Sequence, residues 1–131
     1  QAHALTSWTS QMWPAKPIFL MGDFNAYSKE TPVSIIESAG FTELEKKYEP
    51  TSATYQFSGR LGSLDHVFAN QSALSLVTGA GVWDINADES IAMQYSRRNY
   101  NVTDFYTTSQ FASSDHDPVV VGLQVRVPSQ K

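Results

Sequence analysis

The chain has 131 residues, 41% of them hydrophobic and 12% aromatic, which suffices for one buried core and is too short for two ordinary domains. It contains no cysteine, so disulfides and thiolate metal sites are excluded. Nine basic residues against thirteen acidic ones give a net charge of -4, unlike a domain that binds nucleic acid mainly by counterion release.

The first forty residues predict two helices and one buried strand. Apolar side chains recur at helical spacing over residues 1–13, and Pro14 stops the pattern. The segment 17–21 is short and apolar and leads into a Gly-Asp turn, which is typical of a buried strand. A second helix is predicted to begin with Thr31 as its N-cap and to end before Gly40.

The rest of the chain predicts strands. Four segments rich in Val, Tyr, Phe and Leu are separated by glycine or polar loops, and we interpret them as strands: residues 54–57, 64–69, 75–86 and 118–127. Residues 88–114 are polar and aromatic with little periodicity, which indicates a long loop with one helical turn. Loops of this length are uncommon unless they are functional or disordered. The predicted fold class is α+β, with a mostly antiparallel sheet and flanking helices.

Three polar motifs stand where predicted strands meet loops: residues 22–25 (Gly-Asp-Phe-Asn), 63–66 (Ser-Leu-Asp-His) and 114–118 (Ser-Asp-His-Asp-Pro). Each motif alone is also consistent with turn formation, strand capping or a structural histidine. Antiparallel strands bring such junctions to one edge of a sheet, so we expect the polar side chains to share a rim. They are Asp23, Asn25, Asp65, Asp115 and His116. Carboxylates, an amide and an imidazole are the groups of a hydrolytic metal site.

In combination, these motifs resemble the last three signature motifs of the endonuclease/exonuclease/phosphatase superfamily. Residues 62–66 and 83–89 further resemble the large secreted nucleases of bacteria. The resemblance covers residues 15–125 and implies a four-layer α/β/β/α sandwich, of which this chain would hold half. The family's metal-binding glutamate and second catalytic histidine have no counterpart here. Residues 1–131 are therefore expected to be the C-terminal half of the domain and to be inactive alone.

The resemblance also implies roles for the matching residues. Asp23 and Asn25 match the pair that positions the attacking water and hydrogen-bonds the scissile phosphate. Asp115 matches a metal ligand. His116 matches the histidine that contacts the phosphate, and Asp65 matches the carboxylate that orients this imidazole. Oxygen ligands beside a phosphate favour Mg²⁺, with Ca²⁺ or Mn²⁺ as alternatives.

Three further polar residues receive weaker interpretations. Arg60 is a candidate contact to the substrate phosphate, although a solvated loop arginine fits the sequence equally well. Strand alternation places His66 on the face opposite Asp65, so we interpret His66 as structural. His3 is interpreted in the same way.

The expected function of the intact protein is divalent-metal-dependent hydrolysis of phosphodiesters, as a secreted or extracellular bacterial endonuclease acting on DNA or RNA. The alternatives are a phosphatase or lipid phosphodiesterase of the same superfamily, and a non-catalytic module whose rim binds partners. The motifs do not distinguish DNA from RNA, endonucleolytic from exonucleolytic cleavage, or one divalent ion from another.

The expected partners are the nucleic acid substrate, the missing N-terminal half and a second copy of this chain. The second copy would cover part of an apolar strand surface that two helices cannot cover completely, which includes Phe68, Val82, Val119, Val121 and Leu123. No segment is long and apolar enough to predict a membrane span.

Overall fold

The structure, a computed structural model, describes residues 1–125 as short helices and strands joined by loops. In chain order the elements are α1 (Ala2–Met12), β1 (Phe19–Asp23), α2 (Thr31–Ser38), β2 (Phe41–Glu43), α3 (Leu44–Tyr48), β3 (Tyr55–Phe57), β4 (Arg60–Gly62), β5 (Asp65–Asn70), α4 (Gln71–Leu74), β6 (Val77–Val82) and β7 (Val119–Leu123). Two 3-10 turns, Ile91–Met93 and Tyr95–Arg97, lie in the long connection between β6 and β7.

Within residues 1–125 every strand pairing is antiparallel, and the strands form three small sheets. The largest has the order β1-β5-β2, with β5 in the centre. Its register places Phe19 opposite Ala69 and Asp23 opposite Asp65. Strands β3 and β4 form a hairpin, and β6 pairs with β7. The α+β prediction with a mostly antiparallel sheet is confirmed.

The two faces of β5 contribute to two different cores, because successive side chains of a strand point in opposite directions. On one face, Phe68 is fully buried beneath α1 and α2, in a core whose other buried members are Leu20, Ala26, Val33, Ile36 and Phe41. On the other face, Val67 and Ala69 pack with Leu44 and with the β6–β7 pair. The central sheet therefore lies between a helical layer and a second layer of strands.

Several elements differ from their predictions. Helix α2 begins at Thr31 with Glu30 as its N-cap, one residue earlier than expected. The long loop contains two 3-10 turns where one helical turn was predicted. The short elements β2, α3, β4 and α4 were not predicted. Strand β7 ends at Leu123, and residues 126–127 of the predicted strand lie outside the described residues.

The apolar strand residues are covered to different extents. Of the apolar residues that two helices are not expected to cover completely, Phe68 is fully buried beneath the helices. Val119 and Val121 are half-buried against the central sheet. Met21 and Leu123 remain 68% and 46% exposed. Within residues 1–125, no helix has the length and apolar character needed to cross a bilayer.

Candidate active site

The three polar motifs meet at one edge of the central sheet. Asp23 is the last residue of β1 and Asp65 is the first residue of β5, so antiparallel pairing sets the two carboxylates side by side. The chain returns to this edge at His116, which forms an isolated β-bridge with Tyr55. His116 Nδ1 lies 2.6 Å from Asp65 Oδ2, which is the contact expected from the sequence.

The charge of His116 is set by the three aspartates around it. Partial burial alone would lower the pKa of His116. The hydrogen bond to Asp65 and the negative charges of Asp65, Asp115 and Asp23 outweigh that effect and raise the pKa above its usual value. The surroundings of His116 therefore favour the charged imidazolium form more than water does.

The turn after β1 holds Asn25 in an unusual backbone conformation. Asn25 has a φ of 47°, in the left-handed region that asparagine tolerates better than most residues. Its N–H donates to Asp23 Oδ1 at 2.7 Å, while the N–H of Phe24 donates to the carbonyl of Leu64 at 2.9 Å. These bonds fix the Asn25 backbone beside Asp23 and leave its side chain exposed at the rim.

Asp117 and Asn86 hold the backbone around His116, and we call this pair of residues the clamp. Asp117 is buried, and its Oδ1 accepts the backbone N–H groups of Ile85, Asn86 and Ala87 at 2.9, 2.7 and 3.1 Å. Asn86 Nδ2 donates to the carbonyl of His116 at 2.8 Å. From the sequence alone, Asp117 is expected to be a turn residue. The resemblance of residues 83–89 to the bacterial nucleases marks the segment that contains Asn86, but it implies no role for Asn86.

Asp115, the predicted metal ligand, is exposed next to His116. Its carboxylate, like those of Asp23 and Asp65, is a hard oxygen donor of the kind Mg²⁺ prefers. Among residues 1–125, however, no three His, Asp or Glu side chains are grouped closely enough to hold an ion. The carboxylate of Asp115 therefore fits one ligand of an oxygen-ligated cation site that needs additional ligands.

The other predicted polar residues lie apart from this constellation. Arg60 is exposed on β4, opposite Phe57 in the β3–β4 hairpin, and is not in a loop as the sequence suggested. His3 is exposed on α1. His66 is completely buried on the opposite face of β5 from Asp65, as strand alternation predicted.

His66 is part of a buried ionic cluster with Glu43 and Glu45 that the sequence did not reveal. His66 Nδ1 is 2.8 Å from Glu43 Oε1, and Nε2 is 2.8 Å from the carbonyl of Ala26. Burial opposes the charge of His66, but these partners raise its pKa. Glu45 Oε1 accepts the N–H of Val67 at 2.8 Å, and burial raises the pKa of Glu45 to about 7.

Comparison with known proteins identifies a family and a shared fold. The model of the Endonuclease/Exonuclease/phosphatase family matches residues 4–116. No curated protein matches the chain. A mannosyl-6-phosphatase of Bacteroides thetaiotaomicron, Bt3783, is 22% identical, with a TM-score of 0.64 over 95% of this chain and 44% of that one.

Two further solved structures are similar. A family protein of Leptotrichia buccalis is 18% identical, with a TM-score of 0.60 over 95% of this chain and 42% of its own. The 3′ phosphatase NExo of Neisseria, bound to a product DNA hairpin, is 15% identical, with a TM-score of 0.58 over 95% of this chain and 52% of its own. The chain thus spans about half the length of these structures, and the likeness at such identities is one of fold.

Proposed function

Because this chain belongs to the endonuclease/exonuclease/phosphatase family, we propose that the full-length protein containing it hydrolyses phosphodiesters of DNA or RNA with a divalent cation. We further propose that it is a secreted bacterial endonuclease and that the other half of its active site precedes this chain. The observation that carries the proposal is the Asp65–His116 contact at a rim that also holds Asp23, Asn25 and Asp115.

In this proposal the histidine binds the phosphate and its neighbours fix its orientation. Asp65 engages Nδ1 of His116, so that Nε2 is the ring atom left to donate to a phosphate oxygen. The charged imidazolium stabilises the negative charge that grows on the phosphate during attack. Asn25 donates a side-chain amide N–H to the same phosphate, and Asp23 accepts a proton from the attacking water.

In this proposal, the chain supplies only some of the ligands that the metal ion needs. Asp115 would hold the cation together with ligands from the rest of the protein, and Mg²⁺ suits its oxygen donor, with Ca²⁺ or Mn²⁺ as alternatives. When bound, the cation supplies Lewis-acid stabilisation of the phosphate.

The test is a nuclease assay on the full-length protein. Purified protein is incubated with plasmid DNA or with RNA, in Mg²⁺ and in parallel in EDTA. We expect cleavage that requires the metal and that falls about 100-fold or more in His116→Ala. Metal-dependent hydrolysis of phosphomonoesters without cleavage of either polymer would overturn the nuclease assignment.

A phosphatase is the second candidate, because two of the similar structures are named as phosphatases. The residues at the rim bind a phosphate group and are compatible with either a monoester or a diester. Release of inorganic phosphate from a hexose 6-phosphate and from a 3′-phosphorylated DNA hairpin, measured on the same sample, separates the two candidates.

A further inference from the structure

The turn after β1, residues 24–28, keeps Asn25 in a backbone conformation that the contacts of Asn25 itself do not explain. Asn25 has a φ of 47°, and a residue other than glycine stays in the left-handed region only where its surroundings fix it. Its side chain is exposed, and its N–H donates to Asp23, which is exposed as well. The contacts that fix the turn must therefore come from the residues on either side of Asn25.

On the C-terminal side of Asn25, the backbone is bound from inside the protein by His66. The carbonyl oxygen of Ala26, a residue that is 3% exposed, lies 2.8 Å from His66 Nε2. A carbonyl oxygen can only accept, so Nε2 carries the hydrogen of this bond. The other ring nitrogen, Nδ1, lies 2.8 Å from Glu43 Oε1. The ring is therefore bound at both nitrogens and cannot rotate away from Ala26 without breaking a bond.

Glu43 also binds the turn directly. Its Oε1 accepts the hydroxyl of Ser28 at 3.1 Å, in addition to the contact with His66. Glu43 is buried on β2, which pairs with β5, the strand of His66, so both residues belong to the central sheet. The turn is thus attached to the sheet at Ala26 and Ser28, which follow Asn25 closely in the chain.

Packing alone does not account for a histidine at position 66. The neighbouring rings are those of Phe24 and Phe68, with centroids 5.9 and 5.6 Å from that of His66. An apolar side chain of similar size would fill this space without the desolvation cost of a buried ion pair, and such replacements are often neutral or stabilising. An apolar side chain could not donate to the Ala26 carbonyl, however. The bond to the turn is the property for which a donor is needed here.

We propose that His66 is a positioning residue of the hydrolytic site, whose Nε2–H fixes the Ala26 carbonyl and thereby directs the Asn25 side chain at the scissile phosphate. This role rests on the proposed function, in which Asn25 donates to that phosphate. His66 is fully buried and does not touch the substrate. It holds structure, and the part of the structure that it holds carries Asn25.

Two amide substitutions separate the bond to Ala26 from the bond to Glu43. The amide nitrogen of glutamine can take the position of His66 Nε2, and that of asparagine the position of Nδ1, because the numbers of bonds from Cβ match. His66→Gln therefore keeps the donor to Ala26, and His66→Asn keeps the donor to Glu43. The full-length protein cleaves a fluorophore–quencher DNA oligonucleotide in Mg²⁺. We expect kcat/KM per folded molecule to fall about 10-fold in His66→Asn and about 3-fold or less in His66→Gln.

The same two variants should rank in the opposite order in stability. His66→Gln leaves the buried Glu43 without its ring partner, whereas His66→Asn still donates to it, so urea unfolding should show His66→Gln as the less stable protein. A purely structural role would lower the rate most in the least stable variant. Hydrogen exchange of a peptide that covers residues 22–28, followed by mass spectrometry, should be faster in His66→Asn than in His66→Gln.

A matched control and a milder variant accompany this pair. Glu45→Ala removes the acceptor of the Val67 N–H from the same buried cluster, at a site that does not bond to the turn, so it should lose stability and keep the wild-type kcat/KM. Ser28→Ala removes only the second attachment of the turn and leaves the His66 ring in place. It should stay folded and lower kcat/KM about 3-fold.

A double-mutant cycle with Asn25→Ala decides whether His66 acts through Asn25. Asn25→Ala alone should lower kcat/KM about 100-fold, because the phosphate loses a donor. In that background His66→Asn should cost about 2-fold or less, since the side chain that it positions is absent. A further loss of about 10-fold in that background would show that His66 acts elsewhere and would overturn the positioning role.

The outcomes separate the positioning role from the nuclease function. Equal kcat/KM in His66→Gln and His66→Asn would overturn the role of His66 and leave the nuclease function intact. Hydrolysis of a hexose 6-phosphate without cleavage of DNA would overturn the nuclease assignment, and the same variants and cycle measured on the hexose phosphate would then decide the role of His66. Hydrolysis of neither ester would overturn both proposals.

Discussion

His116 and His66 have opposite surroundings, although each is paired with a carboxylate. His116 is partly exposed at the rim, and one of its ring nitrogens is bound to Asp65. Both ring nitrogens of His66 are bound, to Glu43 and to the Ala26 carbonyl, and no part of the ring reaches solvent. The first environment suits contact with a substrate, whereas the second only holds structure together.

Alanine substitutions at these two positions should therefore affect different properties. His116→Ala should lower phosphodiester hydrolysis by the full-length protein about 100-fold or more and leave stability nearly unchanged. His66→Ala should lower the free energy of unfolding by about 3 kcal/mol, because the buried Glu43 loses its histidine partner. Urea unfolding and initial rates per folded molecule measure the two effects. Equal rate losses in two equally stable variants would contradict the assignment.

The buried cluster predicts that stability falls as pH rises. Burial raises the pKa of Glu45 from 4.5 to about 7, so the native state holds a proton between these values that the unfolded chain has lost. The pKa of His66 is also raised, so its contribution is fully present below its unfolded value of 6.5 and is lost as pH rises through the folded pKa. Both shifts act in the same direction.

Glu45→Gln tests this argument. The variant keeps an oxygen for the N–H of Val67 and removes the charge. It should match the wild type near pH 5 and exceed its unfolding free energy by roughly 1 to 3 kcal/mol near pH 8. Denaturant unfolding across this pH range provides the measurement. A constant difference between variant and wild type at every pH would show that Glu45 does not titrate with folding.

At the scale of elements, the clamp joins the β6–β7 connection to the residue behind the candidate catalytic histidine. Asp117→Ala should lower the unfolding free energy by roughly 2 to 4 kcal/mol, because three backbone N–H groups lose their acceptor. It should also slow hydrolysis, since Asn86 would no longer hold the His116 carbonyl in place. Asp117→Asn retains one oxygen acceptor and is the control that should lose much less of both.

The elements that the sequence predicted are those with an internal pattern. Helix α1 has a helical apolar repeat, and strand β7 has a run of valines, so each is recognisable without its neighbours. Strands β2 and β4 have three residues each, too few for a periodicity, and they form because a partner strand is present. The 3-10 turns of the long loop likewise lack a distinctive pattern.

The same distinction applies to the candidate site. The motif residues Asp23, Asp65 and His116 could be predicted as candidates because each lies in a compact string beside a predicted strand. Asp117 and Glu43 were missed because their partners lie 32 and 23 residues away along the chain, at Ile85 and His66. Only the folded register brings such pairs together, so their roles are not visible in a local string.

At the scale of the whole molecule, apolar side chains remain exposed on the strands. Met21 lies on the edge strand β1, and Val120 and Leu123 lie on β7, each about half exposed or more. Exposed apolar strand surface favours association with another chain. We therefore predict that the isolated 131-residue chain forms a two-fold dimer through these strands and is nearly inactive.

Light scattering at micromolar concentration, combined with a nuclease assay of the same sample, examines both parts of this prediction. Met21→Lys, which places a charge on the exposed edge strand, should shift the population toward monomer without unfolding the chain. A stable wild-type monomer would rule out the dimer. Strong Mg²⁺-dependent cleavage by the isolated chain would show that the site is complete without further residues.

The clamp also has a consequence for how this protein can change during evolution. The long loop leaves the fold at Ala87 and rejoins it at Ala112, whose N–H donates to the carbonyl of Ile85 at 3.0 Å, so its two ends already touch. Its internal contacts, such as that between Arg98 and Asp104, stay within the loop. The residues between these two ends can therefore be exchanged without moving the ends. Replacing residues 90–109 with a short Gly-Ser linker should leave the free energy of unfolding nearly unchanged while the histidine keeps its position, because closing a shorter loop costs little.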